Sequence, residues 1–157
     1  MRYLALLVAA LTTAEMQAFE LAPRLVVNVT IDQLRSDYVE AFSNFYSRYG
    51  FKRLLDEGLV YDGATYPFFP VDCSSASASI STGATPFFNG IIGDSWLDRK
   101  SLQPTSSVDD GKGYYSADKI RTSTIGDELK VSSNGQALVY SFAANSKSAI
   151  LLAGHAA

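Results

Sequence analysis

The sequence predicts an α/β fold in which helices cover both faces of a doubly wound, mostly parallel sheet. Two observations lead to this prediction. Near-continuous apolar runs of strand length alternate along the chain with segments whose apolar residues recur every three or four positions. In such sheets ligands bind beyond the carboxyl ends of the strands, so polar residues that directly follow a strand are the first candidates for a functional site.

The first predicted strand spans residues 25–31, which are β-branched and almost continuously apolar. This composition is typical of a strand that is covered on both faces of a sheet. Asp32 follows directly, at the carboxyl end of that strand. Its carboxylate could hold a divalent metal or cap the helix that follows, and both types of Asp are common.

The next elements are a helix, a turn and a short helix. Tyr38, Phe42, Phe45 and Tyr49 recur at helical spacing, and a second short helix should end near Gly58. Residues 60–66 are interpreted as a strand or an extended arm. Residues 73–81, CSSASASIS, are interpreted as a closely packed helix, because aromatic and ordered-looking segments flank them where a flexible linker would have polar neighbours.

The remaining elements complete the alternation. Residues 103–117 carry Pro, Gly, Ser and Asp without periodicity and are predicted to form a surface loop. Thr124 and Asp127 form a capping pair for a helix over residues 125–131. Residues 136–142 are interpreted as a strand, and residues 149–153 as a further strand or an arm beside it.

Composition excludes two classes of site. The chain has 157 residues and a formal net charge of −3, so it lacks the basic stripe that a nucleic-acid polymer requires. Cys73 is the only cysteine, so neither an internal disulfide nor a cysteine-based zinc cluster can form.

The N-terminus has the order of a secretory signal peptide over residues 1–18. Arg2 precedes an apolar run, and small residues follow at Ala14 and Ala18. The alternative, a buried N-terminal helix, fits less well with the Pro23 that comes next. The run is shorter than the ~20 residues of a membrane span, so we expect a periplasmic or secreted protein with one domain over residues 24–157.

Three blocks in fixed order carry a family resemblance. They are LVVNVTIDQLR with a later FKRLLDEG, then Thr82-Gly83, Pro86, Asn89-Gly90-Ile91, Gly93 and Trp96 with Asp98, and finally Ala153-Gly154-His155. This arrangement resembles the alkaline phosphatase superfamily, in its phosphate-irrepressible and type I phosphodiesterase/nucleotide pyrophosphatase branches. The resemblance implies an alkaline-phosphatase-like three-layer sandwich, of which this chain would be a truncated N-terminal portion.

The resemblance implies a two-zinc site and a nucleophile. Asp32 would be a zinc ligand, and paired metals clamp the attacking and leaving oxygens of a phosphoryl displacement. Cys73 stands where the family has a nucleophilic Thr or Ser at a helix N-terminus. It could instead be a permanent zinc ligand or a buried packing residue, and Ser74 or Ser75 could supply the nucleophile. The C-x-P-[SA]-R motif of the related sulfatases is absent.

The substrate-binding positions depart from the family pattern. Asp94 replaces an Asn that donates to the phosphoryl oxygen, and an ionised carboxylate only accepts. Asn145 and Lys147 stand where the irrepressible branch has a Lys and an Arg. One cation is thereby lost, and a bidentate guanidinium becomes a point charge. A surface Lys beside a turn is the alternative interpretation of Lys147.

These features predict an exported, zinc-dependent phosphoric ester hydrolase that acts on phosphorylated small molecules. The family's other metal ligands are expected after Ala157, so the chain by itself is expected to be inactive. His155 is expected to be structural, because it matches no family metal ligand. The alternative is a non-catalytic relative that keeps the fold to bind a ligand, and the substitutions at Cys73, Asp94 and Asn145 favour it.

Overall fold

The computed structural model describes residues 23–157, and the predicted signal peptide lies outside them. The helices are α1 (Ser36–Ala41), α2 (Phe51–Glu57), α3 (Cys73–Thr82), α4 (Pro86–Asn89), α5 (Ile125–Ser132) and α6 (Ser146–Ala153), with a 3-10 turn at Ser43–Phe45. Strands β1 (Ser95–Leu97) and β2 (Pro104–Ser106) pair antiparallel, with Trp96 opposite Thr105. Within this part of the chain, no helix has the length and apolar character needed to cross a bilayer.

The core forms around α3, whose Ser and Ala side chains let neighbouring helices approach closely. Ala78 of α3 and Leu151 of α6 are both fully buried. The hydroxyl of Ser81 donates a hydrogen bond of 2.7 Å to the carbonyl of Leu151 and so joins the two helices. The buried cluster comprises Ala78, Ile91, Val108, Ala117, Ile120 and Leu151. The prediction of a closely packed helix over residues 73–81 is therefore confirmed.

The helix boundaries follow the capping signals in the sequence. The side chain of Thr124 accepts from the backbone N–H of Asp127, and the carboxylate of Asp127 accepts from that of Thr124, as predicted for α5. Helix α2 ends at Gly58, also as predicted. Helix α3 ends at Gly83, whose left-handed φ of 66° suits a residue without a Cβ atom.

The start of α5 and the end of α6 meet at two glycines. A Cβ atom on Gly126 would lie 2.8 Å from the carbonyl oxygen of Ala153. Gly154 has a φ of 80°, and a Cβ atom there would overlap the side chain of Thr124. Beyond this contact, the imidazole of His155 lies 2.9 Å from the carboxylate of Asp127 through Nδ1.

The predicted strands over residues 25–31, 60–66 and 136–142 form no ladder with any described residue. Val27 in the first of these segments and Phe142 in the last are exposed, whereas Val139 is partly buried beside Gly126. A strand needs a neighbour about 4.8 Å away to satisfy its backbone groups, and the described residues supply none for these segments. The mostly parallel sheet is thus not formed within residues 23–157.

Two further expectations were wrong. Residues 149–153 belong to α6 and not to a strand, because Asn145 caps the helix and Ala and Leu are strong helix formers. Residues 103–117 are not simply a surface loop. They contain β2, and Ser107, Val108 and Ala117 are buried, because this segment folds back over the core instead of leaving it.

Candidate active site

The candidate site lies at the beginning of α3. Cys73 is the first residue of this helix, and its thiol donates a hydrogen bond of 2.9 Å to Oδ2 of Asp32. Asp72 is the N-cap residue, and its Oδ1 accepts from the backbone N–H of Ser75 at 2.9 Å. The cap fixes the direction of the helix and therefore the position of the thiol at its end.

Asp32 contacts Cys73 from the N-terminal part of the chain, in which no described residue is buried. It lies in a turn after residues 25–31, and it does not cap α1, whose N-cap position is occupied by Arg35. The prediction from sequence left open a capping role for Asp32. The geometry instead directs its carboxylate towards the thiol of Cys73.

Carboxylates surround the thiol and change its acidity. The hydrogen bond to Asp32, partial burial and the charges of Asp32, Asp94 and Asp72 together raise the pKa of the Cys73 thiol to about 11. Each of these causes disfavours a negative charge on sulfur. In the protein without metal, the thiol is therefore protonated at neutral pH.

Asp94 also lies at the beginning of α3. Its Oδ1 accepts from the backbone N–H of Ser74 at 3.0 Å, and its own N–H donates to Oδ2 of Asp72 at 2.7 Å. Its Oδ2 lies 3.5 Å from Nζ of Lys147. The hydrogen bonds from Ser74, against some opposition from burial, and the charge of Lys147 lower the pKa of Asp94. The carboxylate is therefore ionised at neutral pH.

Helix α6 brings one of its two predicted phosphate-binding residues into the site. Lys147, in the first turn of α6, pairs with Asp94. Asn145 instead uses its side-chain oxygen to accept from the backbone N–H of Ser148 at 2.8 Å, and so caps its own helix. The close packing of α6 on α3 explains how residues far apart in sequence meet here.

The hydroxyls next to Cys73 are already engaged. The hydroxyl of Ser75 donates to Oδ1 of Asp72 at 2.9 Å and accepts from its N–H at 3.0 Å, which completes the capping box. The hydroxyl of Ser74 lies 3.0 Å from that of Ser107. Both serines are fully buried, whereas Cys73 is half-buried. Of the three residues, only Cys73 faces the opening.

Asp72 is the site residue that sequence reasoning missed. It contacts Ser75 and Asp94 and contributes to the negative field at Cys73. A signal was present, since an Asp directly before a run of helix-compatible residues, with a hydroxyl three positions later, is a helix-start pattern. Gly93 supports the contact with Asp94, because a Cβ atom there would lie 3.0 Å from Oδ2 of Asp72.

The donor atoms of Asp32 and Cys73 fit part of a zinc site. Carboxylate oxygen and thiolate sulfur are both zinc ligands, and a protein zinc site usually has four. Among residues 23–157, no group of three or more His, Cys, Asp or Glu residues could hold a metal. His155 is not near this site, because its ring nitrogens face Asp127 and the carbonyl of Ile120.

A broad open groove of about 740 Å³ lies elsewhere, along α5. Arg121, Lys130 and His155 are among the residues that line it, and none of the predicted site residues does. It contains the pair of His155 with Asp127, but the family resemblance assigns no role to either residue. The groove is therefore not the candidate active site.

Comparisons with known proteins identify the family of the chain. The family model for type I phosphodiesterase/nucleotide pyrophosphatase matches residues 26–146. Alkaline phosphatase PhoV of Synechococcus elongatus is 34% identical over 145 residues, which are 86% of this chain and 26% of that protein. A calcium-transporting ATPase of Myroides odoratus is 34% identical over 143 residues, which are 85% of this chain and 26% of that protein.

Solved structures confirm the fold class. The crystal structure of wild-type alkaline phosphatase PafA superimposes with a TM-score of 0.78 at 28% identity, covering 86% of this chain and 28% of that one. A PafA variant substituted at a threonine, an asparagine, a lysine and an arginine gives a TM-score of 0.75 at 26% identity, covering 80% and 26%. The chain thus spans about a quarter of the length of these relatives. It belongs to the type I phosphodiesterase/nucleotide pyrophosphatase family of the alkaline phosphatase superfamily and matches the N-terminal part of its members.

Proposed function

We propose that this chain is the N-terminal part of an exported, zinc-dependent hydrolase of phosphoric esters that acts on phosphorylated small molecules. One observation carries the proposal. The thiol at the first residue of α3 lies 2.9 Å from the carboxylate of Asp32, in a chain whose family is that of phosphodiesterases and whose relatives include alkaline phosphatases. This contact places a possible nucleophile, the thiol, next to a carboxylate that could bind a metal ion.

Asp32 and Cys73 would hold zinc, together with ligands from a longer form of the protein. Bound zinc supplies the positive charge that keeps a coordinating thiol in its thiolate form and neutralises charge on a phosphoryl group. Cys73 is then the preferred nucleophile. Its position favours it over Ser75, because the buried hydroxyl of Ser75 is fully used by the capping box.

The positions substituted in the PafA variant support the substrate-binding roles. The threonine and asparagine of that protein are separated by the same number of residues as Cys73 and Asp94. Its lysine and arginine have the same spacing as Asn145 and Lys147. We assign Asp94, Lys147 and Asn145 to the phosphoryl-binding side of the site. Lys147 supplies its positive charge, and Asn145 contributes by capping the helix that carries Lys147.

A second candidate is a non-catalytic relative that binds a phosphorylated or glycan ligand. The observation in its favour is the carboxylate of Asp94, which holds the N–H of Ser74 and the ammonium of Lys147. A carboxylate here repels the dianion of a phosphate monoester. Zinc-dependent turnover by a longer form would eliminate this candidate.

Assays with aryl phosphate mono- and diesters and added zinc test the hydrolase proposal. We expect no measurable turnover by the 157-residue chain, because one carboxylate and one thiol cannot hold two metals. Zinc-dependent turnover by this chain that disappears in Asp32→Ala would contradict the expectation that the chain alone is inactive.

A longer form that hydrolyses these esters tests the nucleophile. Cys73→Ala should abolish hydrolysis while folding persists. Ser75→Ala should keep the nucleophile and lose only part of the α3 cap. Full activity in Cys73→Ala would move the assignment to Ser74 or Ser75.

Export is tested separately. Mass spectrometry of the secreted protein should show that residues 1–18 have been removed, and an intact Met1 would contradict that proposal.

A further inference from the structure

Asp94 engages the donors that a phosphoryl group would use next to Cys73. One carboxylate oxygen accepts from the backbone N–H of Ser74, and the other lies 3.5 Å from the ammonium of Lys147. A carboxylate presents two oxygens and one negative charge, as does one edge of a phosphate monoanion. An incoming anion must therefore compete with the carboxylate of Asp94 for the N–H of Ser74 and the ammonium of Lys147.

The loop that carries Asp94 is fixed to the helix cap. The N–H of Asp94 donates to Oδ2 of Asp72 at 2.7 Å, and Gly93 packs so closely that a Cβ atom would lie 3.0 Å from the same oxygen. Moving the backbone of Asp94 away would break contacts with the residue that caps α3. The backbone of Asp94 is therefore held beside the site, and the N–H of Ser74 holds its carboxylate there.

The charges around the site are predominantly negative. Three carboxylates lie at the beginning of α3, those of Asp32, Asp72 and Asp94. Within residues 23–157, the cation paired with Asp94 is Lys147. Coulomb repulsion from a fixed carboxylate scales with the charge of the ligand. A dianion is therefore penalised more than a monoanion of similar shape.

We propose that Asp94 is a specificity-determining residue that selects phosphodiester monoanions over phosphomonoester dianions. The inference rests on the proposed function, because it assigns a substrate class to the same site. A phosphodiester keeps one negative charge, which the ammonium of Lys147 can neutralise. A monoester dianion adds a second charge beside Asp94, and the ionised carboxylate offers it no hydrogen-bond donor.

The test measures binding at a single backbone group. The full chain, labelled with ¹⁵N and kept without metal at pH 8, is titrated with inorganic phosphate and, separately, with dimethyl phosphate while the amide signal of Ser74 is followed by NMR. In the wild type, dimethyl phosphate should bind more tightly than phosphate. In Asp94→Asn, the Kd for phosphate should fall by about tenfold and that for dimethyl phosphate by clearly less.

Two variants provide the controls. Asp98→Asn removes an exposed carboxylate whose hydrogen bonds within residues 23–157 come from Lys100 and Ser101 in its own turn, and it should leave both Kd values unchanged. Adding Lys147→Met to Asp94→Asn should remove the gained phosphate affinity. Tighter binding of phosphate than of dimethyl phosphate by the wild type would overturn the proposal, whether or not the variants fold.

Equal gains for the two anions in Asp94→Asn would also overturn it. The failure of this inference is distinguishable from that of the proposed function. A longer form that fails to hydrolyse phosphate esters leaves the binding difference in place, whereas equal binding of the two anions leaves the hydrolase proposal standing.

Discussion

Residues 23–72 and residues 73–157 are both rich in apolar side chains, but only the second region has a core. No residue between 23 and 72 is buried, and Val27 is 70% exposed. In the second region Leu151 is 0% exposed. The difference teaches that apolar content alone does not bury a chain. The small side chains of α3 allow the close approach of α6 that creates the interior.

The largest expected contrast is between substitutions in these two regions. Leu151→Ala removes buried methyl groups and should lower the free energy of unfolding by about 2–5 kcal/mol. Val27→Ala removes exposed ones and should change it by less than about 0.5 kcal/mol. Urea denaturation followed by circular dichroism measures both. Equal losses would show that residues 23–72 are packed in solution.

The hydrogen bond between Asp32 and Cys73 joins the two regions, and a substitution at Asp32 removes it. Because the pKa of Cys73 is raised to about 11, alkylation of the metal-free chain by iodoacetamide at pH 7.5 should be about tenfold to a hundredfold slower than that of a free cysteine. Asp32→Asn removes a charge and should accelerate it. Mass spectrometry gives the rates. A wild-type rate equal to that of free cysteine would contradict the described contact.

The cap of α3 should have an intermediate effect on stability. Asp72→Ala removes the acceptor for the N–H of Ser75 and should lower the free energy of unfolding by about 1–2 kcal/mol. Asp72→Asn retains a side-chain oxygen that can cap the helix and should lose clearly less. Thermal denaturation of the two variants, compared with the wild type, separates capping from charge.

The smallest expected effect is a pH dependence at the end of α6. The hydrogen bond to Asp127, opposed in part by burial, raises the pKa of His155. Burial of Asp127 acts against the hydrogen bonds from His155 and Thr124, but these prevail and lower the pKa of Asp127. The contribution of His155 to stability is therefore complete below its unfolded pKa of about 6.5 and is lost as pH rises through its folded pKa.

The contribution of Asp127 is present above about pH 4 and is lost as pH falls through its lowered folded pKa. Both contributions coexist between about pH 4 and 6.5. NMR titration of the single histidine should give a pKa above 6.5 that falls in Asp127→Asn. An unchanged pKa in that variant would refute the pairing of the two side chains.

Local signals made much of the second region predictable. The capping pair at Thr124 depends on neighbouring residues only, and so does Gly58, which ends α2 in the first region; both were predicted. The strands were predicted less well. Residues 25–31 have the composition of a covered strand, but a strand also needs a pairing partner, and residues 23–157 supply none for this segment. Composition predicts what a segment is suited to, and not whether a neighbour is present.

The site was predictable where it depends on chain order and less so where it depends on geometry. Family order placed Asp32 and Cys73 in one site, and the structure brings them to 2.9 Å. Sequence spacing could not show that Asn145 would turn back to cap α6 while Lys147 reaches Asp94. The direction of a side chain depends on competition between local and distant partners, which a linear pattern does not contain.

The two glycines between α5 and α6 have a consequence for how the protein can vary. A methyl group on Gly126 would strike the carbonyl of Ala153, and one on Gly154 would strike Thr124, so neither position has a conservative replacement. Enlarging one residue cannot be offset by shrinking the other, because each faces a different neighbour. Both glycines should therefore be retained among relatives of this chain. The junction between α5 and α6 should keep its length and backbone conformation even where the surrounding surface residues differ.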